Sequence, residues 1–413
     1  MKKEIKKEYM KKVLIVSWYF APCSRMGAKR YGLMCKYFEE NGYEPYIIAA
    51  PASLTSDGAE CDLEVPIPIK HIIEVEVNKD KMYFTLLMLK CFSILKLCSR
   101  TIEPTHFWYR NVKNTIDLEQ LKNIQFDLVI GTYGPMANLF AARYLSKKLK
   151  CKYIIDIRDL ISGYNEKLPQ GYRWTSKLDY ILEKLSLHYA DGIVTVNSKL
   201  TKDMRRRYPR KKVFTVYNGW DGEQITQGIS EEKYLYFAGI LYEYMLDSLC
   251  LLFKALKAVN EKKDIRMIIR CVGGQALKVK QIVRKMKMQD IVSCLPVVSE
   301  KIVAEERKKA YINVVFNSIH KEDFESMVAI PGKTYEYMHE SAPVLAITLC
   351  DSKLAKLLQY TDKGKGIATE HEIVNFILEA EGKYKGNQNV LKFSRRYQTN
   401  RLCRFMDYIL NYE

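Results

Sequence analysis

The residues best suited to chemistry in this sequence include the cations and glycine of a loop that follows its first apolar run. Val13–Val16 leads into residues 17–27, and a helical pattern begins near Ala28. Arg25 and Gly27 lie at this junction. Because a helix N-terminus carries a partial positive charge and unpaired N–H groups, a nearby glycine and cations favour a phosphate site. The alternative is a surface turn whose cations face the solvent.

A second cluster, Asp156–Asp159, ends a strictly apolar run and places three ionisable side chains at the end of a predicted strand. Charged groups at a buried strand end are costly unless they are paired or used for function. Arg158 could bridge the two carboxylates as a structural clamp, or it could face an active site beside Asp159. The residues alone leave both interpretations open.

A third cluster is a predicted helix start at residues 330–338, whose first turn carries Lys333 and Glu336. The Glu336 carboxylate could accept hydrogen bonds from a ribose diol, and Lys333 with backbone N–H groups could bind a diphosphate. The alternative is a structural helix start at which Glu336 pairs favourably with the helix dipole.

Several common catalytic patterns are absent from the sequence. It contains no His-Glu-x-x-His, no Gly-x-Ser-x-Gly, no Gly-x-x-x-x-Gly-Lys-Ser/Thr and no Gly-x-Gly-x-x-Gly. None of the 11 cysteines forms a Cys-x-x-Cys pair, and the six histidines are scattered. The sequence therefore predicts no metal site and no dinucleotide cofactor.

Short apolar runs alternate with helical patterns along most of the chain, which is typical of parallel sheets flanked by helices. The rhythm stops at a glycine-containing stretch, residues 218–230, and then restarts. The predicted fold is therefore α/β, with two Rossmann-like doubly wound domains facing a cleft, at residues 1–220 and 221–394. An apolar helix at about 395–413 is expected to complete the second domain or to pack back on the first.

The chain carries 66 basic and 48 acidic residues, a formal net charge of +18, so its partners are expected to be anionic. No zinc-finger, RNA-recognition or helix-turn-helix pattern accompanies this charge, and nucleic acid is therefore not expected as a partner. The candidate partners that remain are a phosphorylated substrate and an anionic membrane surface.

One segment, Met82–Cys98, is apolar almost all round and is interrupted by two lysines. It could be a core helix, or a helix that lies in the membrane interface. The sequence has no uncharged apolar run of about 18 residues and no secretory signal pattern. The expected location is the cytoplasm, peripheral on the inner face of the cell membrane.

Six blocks in this order resemble those of retaining glycosyltransferases with the GT-B fold, of the family 4 type. The blocks are Val13–Pro22 with Gly27 and Arg30, Phe126–Pro135, Asp156–Asp159, Ala190–Ser198, Val216–Asp221, and Gly332–Tyr337 with Pro343–Leu345. The resemblance implies transfer of a sugar from a nucleotide-sugar donor to a glycan or lipid-linked acceptor. It also implies retention of the anomeric configuration, no metal ion, and a role in cell-surface polysaccharide synthesis.

The resemblance assigns the nucleotide-sugar donor mainly to the second domain and the acceptor to the first. It implies that Glu336 holds the ribose, that Gly239 lets the backbone approach the diphosphate, and that Gly27 lies close to the phosphates. The candidate catalytic residues are Arg158, Asp159 and Lys333.

Two departures from the family pattern concern the donor site. Many members carry a basic residue shortly after the equivalent of Gly239, but residues 241–245 contain none. Many also carry a glutamate eight residues before the equivalent of Glu336, where this chain has Val328. The sequence therefore leaves open a non-catalytic partner of another transferase. The candidate cations for the diphosphate are Lys333, Arg25, Lys29 and Arg270.

Overall fold

A computed structural model describes residues 10–23, 25–55, 63–77, 105–162, 173–222, 232–321 and 329–412. The segment Met82–Cys98 and Val328 lie outside these residues. The chain forms two compact units. Unit 1 comprises Met1–Tyr217 and Gln398–Glu413, and unit 2 comprises Asn218–Tyr397.

Unit 1 is built on a parallel seven-stranded sheet with the order β3-β2-β1-β4-β5-β6-β7. Its strands are β1 Lys11–Val16, β2 Tyr43–Ala49, β3 Ile72–Glu74, β4 Leu128–Thr132, β5 Lys152–Ile157, β6 Gly192–Thr195 and β7 Lys212–Thr215. The central strands are buried on both faces, which their continuous apolar runs predict for a parallel sheet. The order of the chain reverses between β1 and β4, and ligands bind such sheets at the carboxyl ends of the strands around this switch point.

Helices cover both faces of this sheet. They are α1 Met26–Met34, α2 Ala52–Thr55, α3 His106–Thr115, α4 Leu118–Ile124, α5 Ala137–Leu149, α6 Arg173–His188 and α7 Ser198–Arg207. The sequence pattern predicts one helix from Ala28 to Asn41, but α1 ends at Met34. Two 3₁₀ turns follow it, and Gly42 turns into β2 with a positive φ of 77°.

The last helix, α14 Arg395–Leu410, begins in unit 2, and its residues from Gln398 onward belong to unit 1. Its apolar side chains lie in one core cluster with Val13 and Ile15 of β1. They are Leu402, Phe405, Met406 and Ile409. Gly192 leaves room for this helix, because a Cβ at that position would lie 2.9 Å from the Phe405 ring.

Unit 2 contains a parallel six-stranded sheet with the order β10-β9-β8-β11-β12-β13. Its strands are β8 Tyr234–Ile240, β9 Arg266–Val272, β10 Val292–Cys294, β11 Ile312–Phe316, β12 Val344–Ile347 and β13 Gly364–Ile367. Its helices are α8 Leu246–Asn260, α9 Ala276–Lys285, α10 Glu300–Lys309, α11 Gly332–Tyr337, α12 Lys353–Thr361 and α13 Glu370–Glu379. The switch point lies between β8 and β11.

The predicted fold class, α/β with two Rossmann-like doubly wound domains, is therefore confirmed. Within the described ranges, no helix is both long enough and apolar enough to span a membrane.

Candidate functional site

Arg158 follows β5 of unit 1 and is partly buried. Its Nε donates to the Tyr133 carbonyl at 3.1 Å, and its Nη2 donates to the carbonyls of Tyr133 and Gly134, both at 2.9 Å. Arg158 forms no ion pair with any carboxylate that the structure describes. Burial lowers the pKa of its guanidinium below the usual value. A partly buried cation whose hydrogen bonds all go to neutral carbonyls can still attract an anion.

Gly27 lies beside this guanidinium, in the first turn of α1. A Cβ at Gly27 would lie 2.7 Å from Nη1 of Arg158 and 3.3 Å from the Tyr19 ring. Arg25 reaches the same place, since its guanidinium lies 5.3 Å from the centroid of the Tyr19 ring. The structure therefore brings the predicted Gly27, Arg25 and Arg158 together at the switch point of unit 1.

The carboxylates on either side of Arg158 differ in their surroundings. Asp156 is fully buried and bonds to Arg30 of α1, with Nε to Oδ2 at 2.7 Å and Nη2 to Oδ1 at 3.2 Å. Arg30 Nη2 also donates to the Val216 carbonyl at 3.0 Å. Asp159 is exposed. The structural clamp therefore forms between Asp156 and Arg30, and Arg158 takes no part in it.

In unit 2, Lys333 of α11 lies against the end of β8. Its ammonium donates to the Ala238 carbonyl at 2.7 Å and lies 3.9 Å from the centroid of the Phe237 ring. Gly239 has a φ of 138°, and a Cβ there would collide with the Lys333 ammonium. Gly239 and Lys333, which the sequence analysis singles out separately, are thus in contact, and the glycine permits that contact.

Glu336 lies one helical turn after Lys333 and is bound to an arginine of α10. Arg307 donates from Nη1 to Oε2 of Glu336 at 3.0 Å and from Nε to Oε1 of Glu340 at 2.8 Å. Glu340 is fully buried, whereas the Glu336 side chain is 19% exposed. Arg307 therefore fixes the direction of a carboxylate that still reaches the surface.

Arg270, a candidate cation for the diphosphate, is engaged elsewhere. It bonds to both oxygens of Glu306 at 2.6 Å, and the Tyr236 hydroxyl donates to the same carboxylate at 2.9 Å. The pairing raises the pKa of Arg270 and lowers that of Glu306. The Arg270 guanidinium is therefore already paired with a carboxylate of unit 2. Among the described residues, no group of three or more His, Cys, Asp or Glu side chains could hold a metal ion.

Lys363 contacts Glu340, the buried partner of Arg307, and its burial should make the stability of the protein depend on pH. It is fully buried, and its ammonium donates to the Glu340 carbonyl at 2.5 Å. Burial lowers its pKa from 10.5 to about 8. Because the unfolded chain binds the proton more tightly between these values, the unfolding free energy should rise with pH from about 8 to 10.5. The Lys363→Met variant should lack this rise, which amounts to about 3 kcal/mol.

Urea unfolding of the wild type and the variant across this pH range measures the difference. Lys365→Met, at an exposed position of β13 two residues later, is the control and should keep the wild-type profile. Parallel pH profiles for the wild type and Lys363→Met would contradict the assignment.

No protein-family profile matches the chain, and no curated protein matches its sequence. Solved structures do match it. A glycosyltransferase from Rickettsia africae has a TM-score of 0.61 at 14% identity, covering 98% of this chain and 100% of that chain. Sucrose-phosphate synthase from Thermosynechococcus elongatus has a TM-score of 0.58 at 10% identity, covering 97% and 96%.

UDP-GlcNAc 2-epimerase from Methanocaldococcus jannaschii has a TM-score of 0.57 at 11% identity, covering 97% of this chain and 100% of that chain. At these identities the likeness shows the fold. The chain has the GT-B architecture of two Rossmann-like units that such proteins share.

Proposed function

We propose that the protein is a glycosyltransferase that binds a nucleotide-sugar donor through unit 2. The contact between Lys333 and Gly239 carries this proposal. In this contact the Lys333 ammonium lies beside the backbone of a glycine, next to the switch point at which Rossmann-like sheets bind phosphates. The diphosphate would meet the Lys333 ammonium, and the ribose diol would donate to Glu336, which Arg307 holds in place.

The proposed reaction transfers a sugar with retention of configuration and without a metal ion. Lys333 would stabilise the negative charge that develops on the leaving diphosphate, because preorganised cations act most strongly where charge appears. Arg158 would stabilise an anionic substrate group in unit 1, where Gly27 leaves room beside the guanidinium. Asp159 is exposed and follows Arg158 in the sequence, and it is proposed as a further catalytic residue of this site in unit 1.

The proposed acceptor is a glycan or a lipid-linked sugar bound by unit 1, in the synthesis of a cell-surface polysaccharide. The net charge of +18 supports an association with the anionic inner face of the cell membrane, with the protein in the cytoplasm.

The Glu336→Ala variant is expected to bind its nucleotide about ten- to a hundredfold more weakly, because a hydrogen bond to a charged group contributes about 1.5–3 kcal/mol. Calorimetric titration with UDP, GDP and their sugars measures the change. The control is Glu370→Ala, an exposed glutamate in the first turn of α13. Unchanged binding by Glu336→Ala, or no binding of any nucleotide at millimolar concentration, would refute the site.

The second candidate function is a non-catalytic partner of another transferase. The loop after Gly239 favours it, because this loop presents Glu243, which is paired with Lys278, and no cation of its own. Incubating the purified chain with donor and following hydrolysis or transfer separates the two functions. Turnover by the chain alone excludes the non-catalytic partner.

A further inference from the structure

The helix α6 of unit 1 has its acidic residues turned inward. Asp179 and Glu183 are buried. The Glu183 carboxylate accepts hydrogen bonds from Ser162 N at 2.8 Å, from the Tyr208 hydroxyl at 2.6 Å and from Arg207 Nη1 at 2.5 Å. Among the described residues of α6, the two carboxylates therefore lie away from its solvent-facing side.

The opposite side of α6 exposes large apolar side chains. Tyr180, Ile181 and Leu185, with Tyr189 just after the helix, are each 49–54% exposed. At 100° per residue the three helical positions fall on one side of the helix. A group of this kind on one side of a helix marks an interaction surface, whereas single exposed apolar residues are ordinary.

Cations share this side of the helix. Lys177, Lys184 and His188 are exposed and fall within the same arc as the apolar residues. We call these six residues the α6 face: Lys177, Tyr180, Ile181, Lys184, Leu185 and His188.

More cations lie next to the α6 face. Arg143 stacks on the Tyr189 ring at 3.6 Å, and Lys211 donates to the His188 carbonyl at 2.6 Å. The described side chains of the α6 face are thus apolar or basic.

We propose that the α6 face docks unit 1 on an anionic phospholipid surface. Apolar side chains can enter the headgroup boundary while the flanking lysines meet lipid phosphates. A second copy of the chain is disfavoured as the occupant, because two α6 faces would bring like charges together. Nucleic acid offers no apolar partner for Ile181 and Leu185. The inference rests on the membrane association proposed above and is independent of sugar transfer.

The test is sedimentation of the full chain with vesicles of phosphatidylglycerol and phosphatidylcholine. The double variant Ile181→Ser, Leu185→Ser is expected to bind about tenfold more weakly, because two apolar side chains no longer enter the interface. The control, Leu277→Ser with Val297→Ser, removes two apolar side chains of unit 2 that are more than half exposed. It should bind like the wild type.

A second pair of variants tests the charge. Lys177→Gln with Lys184→Gln should also weaken binding about tenfold or more, since a cation near an anionic surface contributes roughly a factor of five. The control, Lys280→Gln with Lys285→Gln, changes two exposed lysines of α9 and should have little effect.

Three results would overturn the proposal: wild-type vesicle binding by both α6 variants, equal binding to pure phosphatidylcholine, or a dimer in ultracentrifugation that the same variants dissociate. Nucleotide titration of the α6 variants separates the two proposals. We expect the α6 variants to keep the wild-type nucleotide affinity. The proposal for the donor site and the proposal for the α6 face can therefore fail independently of each other.

Discussion

The Asp156→Ala variant should lose about 3–5 kcal/mol of unfolding free energy, because it leaves the buried Arg30 guanidinium without its carboxylate. Both side chains of the ion pair are almost fully removed from solvent. The pair also joins α1 to the end of β5, and Arg30 continues to the Val216 carbonyl at 3.0 Å. Few substitutions in unit 1 should cost more.

Asp159→Ala is the matched control, since it removes the same side chain three residues later at an exposed position. Its unfolding free energy should remain within about 0.5 kcal/mol of the wild type. Urea unfolding followed by circular dichroism measures both variants. Equal losses for the two would show that the buried pair does not stabilise unit 1 as its geometry indicates.

Arg158→Gln is expected to reduce the rate of sugar transfer about a hundred- to a thousandfold, the effect of removing one group that stabilises developing negative charge. The Arg158 guanidinium donates hydrogen bonds to the carbonyls of Tyr133 and Gly134, and its Nη1 is directed toward Gly27. Glutamine keeps a donor for these carbonyls but loses the charge. Arg158→Lys keeps the charge but loses the planar geometry of the guanidinium, and its rate should fall between those of the wild type and Arg158→Gln.

The control for this variant is Arg205→Gln. Arg205 is likewise an arginine of unit 1 that donates to a backbone carbonyl, at 2.8 Å to Val213, but it lies on the exposed side of α7. Its kcat and kcat/KM for donor consumption should match the wild type. A wild-type rate for Arg158→Gln would remove Arg158 from the proposed catalytic residues.

The strands that the sequence predicts are those rich in β-branched and apolar residues, such as Val13–Val16 and Ile312–Phe316. The edge strands β10 and β13 are not predicted, because their formation depends on pairing with a neighbouring strand. β13 reads Gly-Lys-Gly-Ile, and it forms because its glycine backbone packs against Val344 of β12. β10, Val-Ser-Cys, is one residue shorter and has no apolar pattern.

The candidate site shows a similar division. Lys333 stands out at a predicted helix start and Gly239 through the family resemblance, but only the structure shows their contact. Arg307 gives no signal, because its helix reads Glu-Lys-Ile-Val-Ala-Glu-Glu-Arg-Lys-Lys and charges occur on every side. The partnership of Arg30 with Asp156 spans 126 positions, and no local pattern can reveal it.

The path of α14 has a consequence for how the protein is made. Its residues Leu402, Phe405 and Ile409 complete a core that also contains Val13 of the first strand. During synthesis on the ribosome, unit 2 emerges whole before these residues do. Unit 1 therefore keeps an open apolar face until the last helix leaves the exit tunnel, and nascent chains released before Leu402 should be substrates for chaperones.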